Sequence, residues 1–285
     1  MDIQWYPGHM TKARRMMQEN IKLIDIVIEL LDARVPLSSK NPEIDQLAKG
    51  KARLLVLNKA DMADRTLTPE FERYFQEQGY YVLSLDSRNR KSVRAVSDVV
   101  LAACSQKIAR DQKKGIKNRP VRAMVVGIPN VGKSTFINTY AGKSVAKTGN
   151  KPGVTKGKQW ITLGKNIELL DTPGILWPKI EEEAVGYKLA MIGSINDDIL
   201  DMGELSYQLV SLLVRKYPGV LASYYHISEG KDSFDIIQEI AIARNYKKKG
   251  NEPDVARAEK MILNDFRGTR IGKLTLDEVP GGGRT

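Results

Sequence analysis

Two short stretches carry residue types suited to chemistry on a nucleotide. "GIPNVGKS" (127–134) fits G-x-x-x-x-G-K-[ST]. Gly127 and Gly132 let the backbone curl so that several N–H groups, those of Asn130, Val131, Gly132, Ser134 and Thr135 among them, converge on one phosphate chain. Lys133 brings a cation to the outer phosphates, and Ser134 offers a hydroxyl to Mg²⁺. "LLVLNKAD" (54–61) is an apolar run ending in Asn-Lys-x-Asp. The carboxylate of Asp61 can accept from both the N1–H and the amino group of guanine. Adenine has no amino group there and presents an acceptor at N1, and a site that leaves a buried polar group unpaired rejects the wrong ligand by about 10⁴–10⁵-fold. Asn58 supplies an amide for the base or the phosphate loop, and the stem of Lys59, followed by Ala60, can cover the ring face. The order is unusual: the phosphate loop starts 127 − 61 = 66 residues after the segment that reads the base.

Further residues fit the same site. Asp171 closes the apolar run of "IELLDTPG" (167–174) and suits the outer shell of a Mg²⁺ ion. Gly174 can present its N–H to a γ-phosphate with no Cβ in the way. Thr155 lies 21 residues after Ser134 and is the natural last hydroxyl ligand of the metal. In "SLDSR" (84–88) the backbone N–H groups of Asp86 and Ser87 are expected at the guanine oxygen.

The elements that must hold these residues are strands and helices in alternation. Strands are expected at 24–33, 52–60, 80–87, 121–127 and 167–174, with 158–164 an antiparallel partner of the last. Helices are expected at 11–22 with Thr11 as N-cap, at 68–79, and at 92–110 with Cys104 on the apolar face. This is an α/β class: a mostly parallel sheet covered on both faces. Beyond Trp177 the pattern turns to helices at 204–219, 232–250 and 252–268. The expected division is 1–178, nucleotide-binding, and 179–285, all-α, with a frayed tail.

The formal charge is 45 − 34 = +11, gathered in three clusters: 107–122, 143–158 and Arg244 with Lys247–Lys249. Clustered cations favour a phosphate backbone as partner. The clusters carry no aromatic platform along the sequence, so a folded RNA is expected over a free strand. One cysteine forms no internal disulfide, and no run reaches the roughly 18 apolar residues that span a bilayer. A cytoplasmic protein without membrane contact is the expectation.

The motif order, with the guanine-reading and Ser-Ala-Lys-like segments ahead of the phosphate loop, resembles the circularly permuted GTPases. "WYPGHM" (5–10), "LLDARVP" (30–36) and the helical C-terminal part are similar to the YlqF type within them. Joining neighbouring termini and cutting an exposed loop leaves sheet contacts intact. The resemblance implies GTP/GDP and Mg²⁺ as ligands. It also implies a late precursor of the large (50S) ribosomal subunit with its 23S-type rRNA as partner, and a helical domain that contacts RNA. Action on tRNA or another RNA, or nucleotide-gated RNA binding without turnover, are the alternatives. The residue after Asp-x-x-Gly is Ile175, where many GTPases place a water-orienting glutamine. Intrinsic hydrolysis is therefore expected to be slow and, as the family implies, raised by the ribosomal subunit. Two residues are candidates to help: Asn130, holding K⁺ as in related potassium-activated GTPases, and His9, positioning water. Thr155 and Gly174 directly precede the helical part, so γ-phosphate loss is expected to reorient residues 180–285.

Overall fold

The computed structural model describes residues 8–116, 119–146, 159–163, 166–177, 180–230 and 232–281, and divides into two compact units, one of residues 1–181 with 277–285 and one of residues 182–276. In the first unit, α1 (Gly8–Asn20) leads to β1 (Ile26–Asp32), α2 (Pro42–Leu47), β2 (Ala52–Asn58), α3 (Leu67–Glu77), β3 (Tyr81–Leu85), α4 (Arg90–Ala103) and α5 (Ser105–Lys113). Then follow β4 (Val121–Gly127), α6 (Lys133–Ala141), β5 (Gln159–Leu163) and β6 (Ile167–Asp171).

The six strands form one sheet in the order β3-β2-β1-β4-β6-β5, all parallel except the β5–β6 pair. The join of the two halves of the sequence is β1 against β4, with Ile26 opposite Ala123 and Leu30 opposite Gly127. All seven residues of β1 are buried, as both-face coverage requires. Leu31, Leu55, Leu57, Phe71 and Phe75 build an apolar cluster between β1, β2 and α3. Because the strands are parallel, Asp32, Asn58, Leu85, Gly127 and Asp171 all finish at one edge. That edge is where open α/β sheets bind ligands.

The second unit is helical: α7 (Glu183–Met191), α8 (Met202–Lys216), α9 (Val220–Tyr225), α10 (Ser233–Ala243) and α11 (Val255–Arg267). Leu205, Leu209 and Leu213 of α8 and Ile262, Leu263 and Phe266 of α11 are buried in its core. Arg267 donates to the carbonyls of Ala190 and Met191 and to both oxygens of Asp197, tying the end of α11 to the end of α7.

Four expectations need correction. The first helix begins at Gly8, so Thr11 is an interior residue and not its N-cap. The expected helix over 92–110 is two helices that break at Cys104, which is buried at the junction with its thiol pushed up to about 11 by burial and the nearby Asp25. The short α2, α7 and α9 were not anticipated. The chain also returns from the helical unit: Asp277, nearly inaccessible, accepts from the backbone N–H groups of Leu37 and Ser38, both at 2.8 Å, and from the Ser38 hydroxyl at 2.6 Å. Residues from 277 thus belong to the first unit, where Val279 packs against the Phe71 and Phe75 cluster.

Among the described residues the tryptophans, Trp160 and Trp177, belong to the first unit, and their fluorescence reports on it. Asp277→Ala removes the acceptor of the buried Ser38 N–H and of the partly buried Leu37 N–H. A destabilisation of about 2–4 kcal/mol is expected, seen as a lower urea midpoint of tryptophan fluorescence. An unchanged midpoint would show that the tail does not support the unit.

Candidate nucleotide site

The loop after β4 is held open by backbone geometry. Asn130 adopts a left-handed conformation (φ 58°) and so does Gly132 (φ 101°), from which the chain passes straight into α6 at Lys133. A Cβ on Gly132 would lie 2.4 Å from Nδ2 of Asn58, so only glycine fits. The first turn of α6, bearing Ser134 and Thr135, leaves its N–H groups without helical partners. Such a helix start is an anion site. Lys133 is buried, and its ammonium donates to the carbonyls of Gly127 (3.1 Å) and Ile128 (2.9 Å).

Across from it, Asp171 ends β6 with one carboxylate oxygen, Oδ1, buried and without a hydrogen-bond partner. Burial pushes Asp171 up to about 6 despite Lys133 and the Thr172 N–H, and pushes Lys133 down to about 8 despite Asp171. A buried carboxylate oxygen with no hydrogen-bond partner suits a hydrated cation. Next to it the Thr172 hydroxyl donates to the Val125 carbonyl, and the Ile175 N–H donates to that of Gly127. A Cβ on Gly174 would sit 3.0 Å from the Pro129 backbone and 2.8 Å from the Lys133 ammonium, so this position admits only glycine without a shift. Ile175 itself is buried in the core.

The base-reading segment meets this loop directly. Asn58, almost wholly buried, donates through Nδ2 to the Val131 carbonyl at 2.7 Å, 73 positions away along the chain. Its Oδ1 accepts from the Ser87 N–H (3.0 Å) and hydroxyl (2.7 Å). Asn58 therefore serves the phosphate loop, the second of its two expected roles. The Ser87 N–H, expected at the guanine oxygen, is bound here to Asn58. Lys59 takes a left-handed backbone (φ 60°) and runs its stem along the site to donate to the Asn130 carbonyl (2.9 Å) and to Asp32 (2.8 Å). A short 3₁₀ turn, Ala60–Met62, then presents Asp61. One oxygen of Asp61 accepts from Arg88 at 2.6 Å; the other is buried and has no partner. That open acceptor is what a guanine N–H needs. Asp86 is engaged by Arg88 through its side chain.

Three residues outside the expected set complete the arrangement. Asp32, fully buried at the end of β1, is bound by Arg34 through Nε (2.9 Å) and Nη2 (2.8 Å), as well as by Lys59. Burial would raise its pKa, but the two cations outweigh that and hold the carboxyl far below the usual carboxylate range. Arg88 is the third. The "LLDARVP" strand end was legible as a feature; its tie to Lys59 was not. Thr155 and the 147–158 part of the second basic cluster lie outside the described residues, as does the side chain of His9.

Comparison with known proteins agrees. A ribosome biogenesis GTPase A from Bacillus cereus is 44% identical over 278 residues, 97% of this chain and 94% of that protein. The chain belongs to the ribosome biogenesis GTPase A family. The corresponding protein of Priestia megaterium is 45% identical over 98% of this chain and 97% of its own length. The family model described as 50S ribosome-binding GTPase matches residues 122–219, which begins in β4 and leaves Asn58–Asp61 ahead of the match. The GNP-bound structure of YlqF from T. maritima, 27% identical, matches with a TM-score of 0.65 over 94% of this chain and 99% of that one; the GDP-bound form gives 0.67. The chain is thus a guanine-nucleotide-binding GTPase with the P-loop GTPase fold in permuted order.

Asn58→Ala removes three hydrogen bonds among three loops. GDP affinity is expected to fall about 30- to 100-fold, the equivalent of roughly 2–3 kcal/mol, in a titration with a fluorescent GDP analogue. Asp32→Asn removes the buried carboxylate that Arg34 and Lys59 share, and a loss of about 3–5 kcal/mol in unfolding free energy is expected. A variant with wild-type stability would mean that the ion pair contributes nothing net.

Proposed function

We propose that this protein hydrolyses GTP as a slow switch on a precursor of the large ribosomal subunit, binding its 23S-type rRNA at a late step of assembly. The observation that carries the nucleotide part is the Asn58 bond to Val131, which sets the open oxygen of Asp61 at a fixed reach from the phosphate loop. In this reading Asp61 accepts from the guanine edge, Lys59 lines the ring, and the N–H groups from Asn130 to Thr135 take the phosphates. Lys133 turns from its own carbonyls to the β- and γ-oxygens, and Gly174 donates to the γ-phosphate. Ser134 and Thr155 would hold Mg²⁺ directly and Asp171 through water; the ion, when bound, neutralises charge between the β- and γ-phosphates.

Water attacks the γ-phosphorus as its bond to the bridging oxygen breaks. Ile175 is apolar and buried, so the position that commonly orients this water offers it no hydrogen bond. His9 and a K⁺ held by Asn130 are the candidates to supply what is missing. The relatives' names support a role in ribosome assembly. Three exposed lysines, Lys247–Lys249, support RNA contact by the helical unit. Arg244 and Arg257 there lie over the rings of Tyr225 and Tyr246. In the first basic cluster, by contrast, Lys107 and Arg122 are paired with Asp25, Asp111 and Glu168, which leaves fewer charges for RNA than the sequence suggests.

Turnover of GTP and ATP, with and without isolated large subunits, in potassium and in sodium, tests the proposal. Slow GTP-selective hydrolysis, raised at least tenfold by the subunit, is expected, with a further drop when Na⁺ replaces K⁺. Equal rates in the two salts would remove the K⁺ role of Asn130; no response to the subunit would favour a passive nucleotide-gated binder.

A further inference from the structure

The nucleotide uses the edge of the sheet where the strands end. The opposite pole, where β1, β2 and β3 begin, carries two adjoining cavities of about 490 and 380 Å³ that share Gly50, Lys51, Ala52, Ala103 and Gln106. Their walls come from parts of the sequence far apart: the turn before β2, the start of β3, and α5. Some of the cations there are already committed. Arg53 is bound to Glu29 and Asp45, and Lys107 to Asp25 and Asp111. Others face solvent: Lys49, Arg110 and Lys114 are exposed, and Lys51 spends one donor on the Ile24 carbonyl. Beside them stands Tyr81, 43% exposed at the start of edge strand β3. Its neighbour Tyr80 is occupied, with Lys40 and Arg53 over its ring and its hydroxyl on Asp45. Gln78 and Gln106 add amides that can both donate and accept.

A cationic groove with one open aromatic ring and two amides has a specific complement. Phosphates satisfy the lysines and arginine, an unstacked base lies on the ring, and the amides meet the base edge. A bilayer surface would want apolar side chains where this groove has glutamines. An acidic peptide would leave the ring without use.

We propose that this pole is a second RNA-contact surface, on which a looped-out nucleotide stacks on Tyr81 while its flanking phosphates are held by Lys49, Lys51, Arg110 and Lys114. The inference rests on the RNA-binding reading above and deepens it: the nucleotide-binding unit grips RNA by itself, from the face turned away from GTP. The fold assembles this platform from Tyr81 and a basic run that begins 26 residues later, so no single stretch of sequence displays it.

The test uses the full-length protein and deproteinised 23S rRNA over a range of salt. In a triple variant, Lys49→Glu, Arg110→Glu and Lys114→Glu, affinity should fall at least 100-fold. The slope of log affinity against log salt should become shallower by about 2, for three phosphate contacts at roughly 0.7 each. In Tyr81→Ala, affinity should fall about 5- to 150-fold with the slope unchanged, as a lost stack requires. Both variants should keep wild-type GDP affinity and unstimulated GTP turnover, which also shows that they fold. If the wild type binds rRNA and both variants match it in affinity and slope, this surface is not an RNA site, while the RNA reading stands. If polyglutamate competes as well as rRNA and Tyr81→Ala is silent, the surface serves an acidic protein and the proposal falls. If the wild type shows no salt-dependent rRNA binding, the RNA reading fails and takes this one with it.

Discussion

The hydrogen bond from the Asn58 amide to the Val131 carbonyl is the constraint on which the rest of the site depends. It joins the end of β2 to the turn of the phosphate loop, across the β1 strand that separates β2 from β4 in the sheet. Through Oδ1 the same side chain also fixes the turn after β3. One amide thus sets the relative positions of three loops, and its fit dictates glycine at 132. Permutation of the motif order leaves all of this intact because register along β1 and β4, not chain order, brings the loops together.

Buried charge is the other theme of the nucleotide edge. Asp32 sits between Arg34 and Lys59, and the ion pair is compensated on the spot. Lys133 and Asp171 are not compensated to the same degree, and both are shifted toward their neutral forms. The signs differ. The depressed Lys133 contributes stability only above its unfolded pKa near 10.4, and that contribution is lost as pH falls through about 8. The raised Asp171 contributes only below its unfolded value near 3.9 and loses that as pH rises through about 6. At neutral pH both groups are therefore charged at a cost, which an anionic phosphate chain beside Lys133 would offset for the ammonium. Binding energy is concentrated where folding energy has been given up.

Much of this was legible in the sequence. The parallel strands announced themselves as apolar, β-branched runs, and each predicted strand exists with ends shifted by a few residues. The loop glycines, Lys133, Asn58 and Asp61 could be named because their chemistry demands those residue types at those places. What could not be read were ties between distant positions. No local pattern signals that Asp277 caps the turn at Leu37 and Ser38, that Lys59 reaches Asp32, or that Arg88 takes one oxygen of Asp61. The bond from the Ser87 N–H to Asn58 was hidden for the same reason, since its partner lies 29 residues away. Periodicity misled at Cys104, where Val93, Val96 and Val100 extend one apolar stripe to the residue at which the helix in fact ends.

The central claim is that the Asn58–Asp61 segment reads the base of the same nucleotide whose phosphates lie on the Lys133 loop. Replacing Asp61 by Asn tests it most directly, because an amide can donate to the C2 oxygen of xanthine and no longer accepts twice from guanine. Competition of GDP and XDP against a fluorescent nucleotide should show a preference inverted by at least two orders of magnitude in this variant. Undiminished GDP affinity with no gain for XDP would place the base elsewhere and contradict the account.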